Sequence, residues 1–292
     1  MLARHHSRTA EATAAIRACH LRYDAPLVFV DPYAAQLTSR WWRTVARYPV
    51  LYWPLVRGLL GALRPVHGWI LVRDQLTIDD LRVFVASGGR QYVSLGAGFD
   101  SIALRRPPWL HGVRIVEVDH PATQAVKLAR MAACGVALPL ADFEAVAVDF
   151  EREDLSTALA RSSFAAAQPS FFAWQGVIYY LTSAAIADTL AHIAACAAPG
   201  SELLFDFLVP EFALQASRRQ VWSLARAVTR RMGERYISYH TPDQLQRLLA
   251  AVGFELVEVQ RDHALEARYC AARHDGLTVM HGFGIARAIR RG

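Results

Sequence analysis

A glycine-rich turn is the first feature of the sequence that could hold a ligand. It reads SLGAGFDS, with Ala97 between Gly96 and Gly98, and it directly follows a short apolar run. Glycines at such a place permit a tight turn and a close approach of the backbone to a ligand. A dinucleotide-binding turn would carry a third glycine where Ser101 stands, and Asp100 would repel a pyrophosphate. The turn therefore favours a ligand without phosphate groups.

Carboxylates end the next two apolar runs. Asp119 closes VRIVEVD, and Asp149 closes AVAVD and is followed by Phe150. Ligands of open α/β sheets bind at the carboxyl ends of the strands, where Asp119 could accept hydrogen bonds from ribose hydroxyls. Asp149 could accept from the amine of an adenine while Phe150 packs on the ring. The alternatives are a helix cap at Asp119 and an ordinary turn residue at Asp149.

Two tyrosines and three histidines are the candidate groups on the substrate side. Tyr179 and Tyr180 follow the fourth apolar run and would either face a substrate or pack in the core. His67, His120 and His240 are candidate general bases, because imidazole titrates near neutral pH. Histidines in such positions are more often surface or helix-capping residues than bases.

These residues need a sheet whose strands end at one edge. Short apolar runs alternate with helical stretches from residue 91 onward, which predicts right-handed βαβ units. The predicted strands are Gln91–Leu95, Val113–Asp119, Ala145–Asp149, Ser170–Trp174, Glu202–Val209 and Phe254–Gln260, with an edge strand after Gly276. The predicted helices are Pro121–Cys134, Ser183–Ala198 and Thr241–Val252. The fold class is α/β, with a doubly wound, mostly parallel seven-stranded sheet.

The first 85 residues are predicted to form a helical lid in front of a Rossmann-like domain over residues 86–292. Within this lid, the segment Arg40–Val72 is dense in aromatic residues, and its prolines break it into short helices. Its large apolar side chains are Trp41, Trp42, Tyr48, Tyr52, Trp53 and Trp69, and its arginines are Arg43, Arg47, Arg57 and Arg64. The segment could line an apolar pocket with an arginine that steers an anion, lie on a membrane surface, or pack against the sheet.

Composition limits the class of partner. The 292 residues are 53% hydrophobic and carry a formal net charge of +6, but the basic residues are scattered. No basic tract has interleaved aromatic residues, which argues against a nucleic-acid partner. The long uncharged stretch over residues 162–187 contains proline and glycine and divides into strand, turn and helix, so we expect no stable membrane insertion.

Cysteine usage points to a reducing compartment. Cys19, Cys134, Cys196 and Cys270 lie too far apart for a metal clip, so we expect reduced, buried thiols and no metal site. The opening residues lack the apolar region of a secretory signal. A cytoplasmic location is the resulting expectation.

Four stretches of the chain together resemble the leucine carboxyl methyltransferase-like superfamily of S-adenosyl-L-methionine-dependent enzymes, in its bacterial O-methyltransferase group. They are SRTAEATAAIRA with DPYAAQL, VRDQLTIDDL, QYVSLGAGFDSIALR with VEVDHPATQAVKLARM, and VDFEREDL with WQGVIYYLT. The resemblance spans residues 7–260. It implies a class I methyltransferase sheet and S-adenosyl-L-methionine as the cofactor.

The resemblance also implies roles for individual residues. Arg73 matches an arginine that binds the methionyl carboxylate, and Arg17 matches a basic residue that contacts the cofactor. The other implied cofactor-binding residues are Gly96, Ala97 and Gly98 at the methionyl moiety, Asp119 and His120 at the ribose, and Asp149 and Phe150 at the adenine.

One position departs from the family pattern. Gln175 stands where the family has a glutamate that receives the cofactor's ammonium group. The amide keeps an acceptor oxygen but loses the charge, and a charged acceptor makes a hydrogen bond roughly twice as strong as a neutral one. Weaker cofactor binding and a repurposed site are both compatible with this change.

The predicted function is O-methylation of a carboxylate or hydroxyl on a small, apolar, polyketide-like acceptor, with a methyl ester as the first choice. One alternative is a non-catalytic protein that binds S-adenosyl-L-methionine or another protein and retains the fold. A nicotinamide-dependent oxidoreductase is the third interpretation, which Ser101 in place of a glycine disfavours.

Overall fold

A seven-stranded sheet forms the centre of the molecule. The structure, a computed structural model, describes residues 7–136, 138, 140–149, 153–210, 219–271 and 273–292. The strands are β1 (Gln91–Leu95), β2 (Arg114–Asp119), β3 (Phe143–Ala147), β4 (Phe171–Trp174), β5 (Glu202–Leu208), β6 (Phe254–Arg261) and β7 (Phe283–Arg290). Their spatial order is β3-β2-β1-β4-β5-β7-β6, and only β7 runs antiparallel to its neighbours.

The sheet confirms the predicted fold class and corrects two details. The predicted edge strand after Gly276 is β7, which lies between β5 and β6, so that β6 forms the edge. An apolar run gives no information about which neighbours will pair with it, and β7 pairs on both sides. The third strand ends at Ala147, two residues before the predicted end at Asp149.

Helices precede the sheet and then cover it. The first group is α1 (Arg8–Tyr23), α2 (Ala34–Leu37), α3 (Arg40–Arg47), α4 (Pro49–Tyr52) and α5 (Arg64–Ala86), with a π-helix at Trp53–Leu59 and a 3-10 turn at Gly61–Leu63 before α5. The second group is α6 (Ile102–Arg105), α7 (Pro121–Ala133), α8 (Leu155–Ala160), α9 (Ser183–Cys196), α10 (Arg219–Arg231), α11 (Pro242–Ala251) and α12 (Asp262–Tyr269). Helix α5 packs on β4, α7 and α8 pack on β3, and α11 and α12 pack on β6.

Local sequence signals explain several helix ends. Thr241 caps α11 in a capping box with Gln244, and Pro242 occupies the first turn, as predicted. Pro49 and Pro65 lie in the first turns of α4 and α5, where a missing backbone N–H costs no hydrogen bond. The prolines of this region therefore fix where its short helices begin.

Within the described ranges, no individual helix is long and apolar enough to cross a bilayer. The pair Pro49–Leu59 and Gly61–Ala86 meets the criteria of length and composition together, but it is bent by 70°. Its longer member buries Trp69, Leu71 and Val72 inside the protein.

The cysteine prediction is confirmed at three positions. Cys19, Cys196 and Cys270 are buried free thiols, whereas Cys134, at the end of α7, is half-buried. Burial raises the pKa of the Cys19 thiol to about 12, which keeps it protonated and unreactive.

A buried ion pair joins β2 to α7. Lys127 Nζ donates to Glu117 Oε2, and the two side chains are only 2% and 0% exposed. The other oxygen, Glu117 Oε1, has no hydrogen-bond partner among the described residues. Burial raises the pKa of Glu117 to about 7, although the charge of Lys127 opposes the rise.

This pair makes stability depend on pH. Folding raises the pKa of Glu117 from 4.5 to about 7. Its contribution to the free energy of unfolding is therefore fully present below pH 4.5 and is lost as pH rises through about 7. Lys127→Met removes the opposing cation. We expect a loss of about 3–5 kcal/mol in the free energy of unfolding near pH 8, and a much smaller loss near pH 5, by urea denaturation.

The double variant Lys127→Met with Glu117→Gln is the matched control. The double variant lacks the Glu117 carboxyl that titrates in this range. Its free energy of unfolding should therefore differ little between pH 5 and pH 8. Equal destabilisation of Lys127→Met at both pH values would contradict the assignment.

Candidate functional site

A cavity of about 700 Å³ lies at the carboxyl ends of β1, β2 and β4. Cavities that hold small molecules commonly measure about 300–1,000 Å³. Its wall includes ten of the predicted site residues, which are Arg17, Arg73, Gly96, Ala97, Gly98, Asp119, His120, Gln175, Tyr179 and Tyr180. The fold therefore brings together residues that are spread over 164 positions of the chain, from 17 to 180.

The glycine turn after β1 has a backbone that other residues rarely adopt. Gly96 and Gly98 have φ angles of 69° and 52°. A Cβ atom at Gly96 would lie 2.5 Å from Val177 Cγ2, and one at Gly98 would lie 3.0 Å from Ala10 Cβ. Glycine is required here by both conformation and space. The turn thus presents bare backbone between α1 and the end of β4.

Asp119 faces this turn from the end of β2. Its Oδ2 accepts from the Gly98 backbone N–H at 2.5 Å, and its Oδ1 accepts from the His120 N–H at 2.6 Å. Burial raises the pKa of Asp119, against the lowering effect of these two bonds. Each carboxylate oxygen can accept a further hydrogen bond. The suggested capping role belongs to His120, whose Nδ1 accepts from Ala122 N–H at 3.2 Å.

A buried series of alternating charges, here named the arginine–aspartate chain, lies behind the turn. Its members in order are Asp31, Arg17, Asp74, Arg73 and Asp206, joined by N···O distances of 2.9, 3.2, 3.3 and 3.1 Å. Arg17 Nη2 also donates to the Phe99 carbonyl at 2.6 Å, inside the glycine turn. Helix α1 is thereby tied to α5 and to the turn.

Arg73 has paired and unpaired N–H groups. It donates through Nε and Nη2 to Asp74 and through Nη1 to Asp206. A guanidinium has five N–H donors, so Nη1 and Nη2 each keep one N–H beyond these bonds. Burial by itself would lower the pKa of Arg73, but the charges of Asp206 and Asp74 outweigh it and raise the pKa.

Asp206 is a site residue that the sequence analysis missed. It is fully buried on β5 and accepts from Arg73, from the Gly176 N–H at 2.7 Å and from the Tyr179 hydroxyl at 3.4 Å. Burial raises its pKa, and Arg73 opposes that rise. A carboxylate between two phenylalanines in the strand ELLFDFL was the available signal, because unpaired charges are rarely buried.

The orientation of the Gln175 amide follows from its neighbours. The Thr77 hydroxyl donates to the Arg73 carbonyl at 2.9 Å and therefore accepts from Gln175 Nε2. With the amide nitrogen engaged, Oε1 is the part of the side chain left to accept a hydrogen bond from a ligand.

Tyr179 and Tyr180 both line the cavity and also pack together. Their ring centroids lie 4.7 Å apart in an edge-to-face arrangement, and Tyr180 stacks on Tyr236 at 5.5 Å. Burial raises the pKa of both phenols well above 10. They are neutral hydroxyls at physiological pH and cannot serve as bases.

Some predicted site residues lie elsewhere. Asp149 follows β3 but does not line the cavity, and Phe150 lies outside the described residues. His67 and His120 line the cavity, whereas His240 does not. Burial lowers the pKa of His67 to about 4, so it is a weak base.

The Arg40–Val72 segment lines the cavity with two of its six predicted aromatic residues, Trp42 and Trp69, and with other side chains that were not predicted. The lining residues of this segment are Trp42, Val56, Leu60, Leu63, Val66, His67, Trp69 and Ile70. Trp41, Tyr48 and Trp53 are exposed, and Tyr52 stacks on Tyr23 at 3.8 Å instead. None of its four predicted anion-steering arginines (Arg43, Arg47, Arg57 and Arg64) lines the cavity. Whether a side chain points to the cavity or to solvent depends on the helical face that it occupies. The aromatic content of the segment alone does not reveal that face.

Glu234, after α10, is a second cavity residue that the sequence analysis missed. Its Oε1 accepts from the Thr9 hydroxyl at 2.6 Å and from the Ser7 hydroxyl at 3.3 Å. Its Oε2 is buried and has no hydrogen-bond partner in the part of the chain that the structure describes. Burial raises the pKa of Glu234, and the neighbouring hydroxyls of Thr9, Ser7 and Tyr180 oppose this rise. Glu234 does not follow a strand, so the search for polar residues at strand ends could not find it.

Potential metal ligands cluster away from this cavity. Asp262, His263 and His281 place ligand atoms within 4.8 Å of one another. Asp262 Oδ2 already accepts from the Gly282 N–H at 3.2 Å, and His281 Nε2 lies 3.2 Å from Glu266 Oε2. These groups partner one another within the protein.

Comparisons with known proteins identify relatives of this chain. Two relatives are candidate S-adenosyl-L-methionine-dependent methyltransferases. YktD of Bacillus subtilis (strain 168) is 24% identical over 301 residues, covering 98% of each chain. The relative from Saccharopolyspora erythraea is 33% identical over 199 residues, covering 68% of this chain and 66% of its own.

Solved structures show the same fold. A candidate methyltransferase from Thermobifida fusca YX has a TM-score of 0.60 at 15% identity, with 98% of this chain and 96% of that chain covered. A DUF574 family protein from Streptomyces avermitilis has a TM-score of 0.58 at 13% identity, with 98% of each chain covered. The leucine carboxyl methyltransferase family model matches residues 10–194, which is more than half of the chain. The chain belongs to the leucine carboxyl methyltransferase family.

Proposed function

We propose that the protein is an S-adenosyl-L-methionine-dependent O-methyltransferase that acts on a carboxylate or hydroxyl of a small apolar acceptor. The observation that carries this proposal is a single cavity in which the predicted cofactor-binding residues meet an apolar wall. The cofactor would supply an electrophilic methyl group on a sulfonium. The residues of the chain would supply binding, alignment and exclusion of water.

Four features of the cavity fit the cofactor. The turn at Gly96 and Gly98 leaves free the space that a Cβ would fill. Asp119 has acceptor capacity for ribose hydroxyls, and Arg73 has two N–H groups for the methionyl carboxylate. Gln175 offers Oε1 to the ammonium group. Together these groups would orient the cofactor along the carboxyl ends of β1, β2 and β4.

Arg17 fits a supporting position. Its Nε, Nη1 and Nη2 atoms are engaged with Asp31, Asp74 and the Phe99 carbonyl. We assign it the placement of the glycine turn and of Arg73, with its cationic charge near the methionyl carboxylate. His120 would complete the ribose end, because it lines the cavity beside Asp119.

The apolar wall fits the acceptor. Val56, Leu60, Leu63 and Ile70 come from the helices before the sheet, and Val228 comes from α10. We propose that residues 1–85 act as a lid, because α1 and α5 carry Arg17 and Arg73 to the cavity. Closure would exclude water from the transfer.

The cellular setting is also part of the proposal. The four free thiols fit a reducing compartment, so we propose a cytoplasmic enzyme. We propose a small molecule as its partner, because the cavity walls are largely apolar. The scattered basic residues do not suit a nucleic-acid surface.

The cofactor assignment predicts that Asp119→Asn and Arg73→Gln each weaken binding of S-adenosyl-L-methionine. Each removes a charge-assisted hydrogen bond, worth about 1.5–3 kcal/mol, and isothermal titration calorimetry measures the loss. Asp188→Asn, at an exposed position on α9, is the control and should bind normally. Unchanged affinity in both site variants, with melting temperatures that show an intact fold, would refute the assignment.

Gln175 provides a test in the opposite direction. Gln175→Glu gives the ammonium group a charged partner, and the Thr77 hydroxyl can donate to the new carboxylate. We expect cofactor affinity to stay equal or to increase. A large loss of affinity in calorimetry would show that residue 175 does not face the ammonium.

The chemistry of transfer is tested with a methyl-labelled cofactor and a collection of aromatic and aliphatic acids and phenols. We expect the label on an oxygen atom of the product. Mild base releases labelled methanol from a methyl ester and leaves a methyl ether intact. Label on nitrogen or carbon would contradict O-methylation. Cofactor binding without any turnover would favour the non-catalytic alternative.

A further inference from the structure

Glu234 is one of the charged cavity residues that the proposed cofactor contacts do not use. Its Oε1 is held by Thr9 at 2.6 Å, so the orientation of the carboxylate is fixed from α1. Its Oε2 is buried without a hydrogen-bond partner among the described residues. A buried carboxylate oxygen without a partner is costly to maintain, and such atoms are frequent at functional sites.

The neighbours of Glu234 place it between the two ends of the proposed cofactor site. On one side, Ser7 donates through its hydroxyl to Glu234 and through its backbone N–H to Thr123 Oγ1 at 3.3 Å, in the helix α7 that follows Asp119. On the other side, Tyr236, two residues after Glu234, stacks on Tyr180, which lies five residues after Gln175. The methyl-bearing sulfur of a cofactor bound between Asp119 and Gln175 would lie in this interval.

The charged lining of the cavity disfavours an anionic acceptor. The lining contains three arginines (Arg17, Arg73 and Arg105) and four carboxylates (Asp74, Asp100, Asp119 and Glu234). Each arginine already lies within 3.6 Å of a carboxylate oxygen. No arginine among the described lining residues is free to pair with an acceptor carboxylate, so only the sulfonium of the cofactor would offset its repulsion by Glu234.

We propose that Glu234 is the catalytic base of the cavity and restricts the acceptor to a neutral hydroxyl, such as a phenol or enol. This inference rests on the proposed O-methyltransferase function and chooses between its two acceptor classes. The acceptor hydroxyl gives its proton to Glu234 Oε2. The acceptor oxygen forms its bond to the methyl carbon while the carbon–sulfur bond breaks and its electron pair stays on sulfur. Glu234 then loses the proton to water.

Other groups at the cavity are poorer bases. Tyr179 and Tyr180 are protonated at neutral pH because burial raises their pKa values. Burial lowers the pKa of His67 to about 4, which makes its imidazole a weak proton acceptor. His120 uses Nδ1 to cap α7. Glu234 combines a raised pKa with a buried oxygen, Oε2, that makes no hydrogen bond among the described residues, although the nearby Tyr180 hydroxyl opposes the rise in pKa.

The position of Glu234 can be tested without knowing the acceptor. Sinefungin carries a charged amine where S-adenosyl-L-methionine carries its methyl group, whereas S-adenosylhomocysteine has neither. If Glu234 faces the methyl position, Glu234→Gln should weaken the binding of sinefungin by about tenfold or more. A loss of this size corresponds to one charge-assisted hydrogen bond. Its affinity for S-adenosylhomocysteine should stay unchanged. Calorimetry measures both constants on the same preparation.

Glu234→Gln should fold, because the amide oxygen can still accept from Thr9. Thr9→Val is the matched control, since it removes the hydroxyl that holds Oε1 but keeps the carboxylate. Thr9→Val should keep the wild-type ratio between the affinities for sinefungin and S-adenosylhomocysteine. Equal sinefungin-to-S-adenosylhomocysteine ratios in wild type and Glu234→Gln would overturn the proposal while leaving the cofactor assignment intact. Failure of both compounds to bind wild type would instead overturn the proposed function.

The acceptor class has its own test with a matched pair of probes. In the presence of S-adenosylhomocysteine, wild type should bind 2-naphthol in preference to 2-naphthoate, which has the same rings but a carboxylate. Glu234→Gln should reverse or abolish this preference, because the amide no longer repels an anion. Tighter binding of 2-naphthoate to wild type would contradict the selection of a neutral hydroxyl.

Discussion

The arginine–aspartate chain is the interaction on which the site depends. Five charged side chains from α1, the loop before α2, α5 and β5 lie in contact away from water. Burying charges is expensive, and removing one member of a buried pair leaves its partner uncompensated, at a cost of about 3–5 kcal/mol. The arginine–aspartate chain therefore holds the N-terminal helices in one position against the sheet. It also holds the glycine turn, through the bond from Arg17 to the Phe99 carbonyl.

The order of the strands explains why the cavity forms at this edge. β1 lies between β2 and β4, and all three are parallel, so their carboxyl ends meet beside the glycine turn. The chain reverses its direction across the sheet between β1 and β4, which leaves a crevice at that point. The antiparallel β7 enters only beyond β5 and does not disturb this edge.

The charges that line the cavity affect the binding of both the cofactor and the acceptor. S-adenosyl-L-methionine carries one net positive charge, and a lining with one more carboxylate than arginine suits a cationic ligand. Under the proposed role of Glu234, the same excess would also disfavour an anionic acceptor, so the same charges would select both the cofactor and the acceptor. Glu234 is one of the four lining carboxylates, and its Oε1 is held by the hydroxyls of Thr9 and Ser7.

The sequence alone determined the fold class, and eight of the ten predicted cofactor-binding residues line the cavity. The strands, the glycine turn and Asp119 follow from local rules: apolar periodicity defines strands, glycines define the turn, and polar residues after parallel strands share one edge. Asp119 and Gly96 could be found in this way because each lies beside a strand end. The family and the roles of Arg17, Arg73 and Gln175 came instead from the resemblance of four stretches of the chain.

Only the tertiary structure decided which residues surround these positions. It moved β7 from the edge to the interior of the sheet, turned Trp53 to solvent and Trp69 to the cavity, and brought Asp206 to Arg73. Glu234 meets Thr9 across 225 positions of the chain. Pairings at such separations depend on how layers pack, and no local pattern encodes them, because the contact exists only after both elements have docked on the sheet.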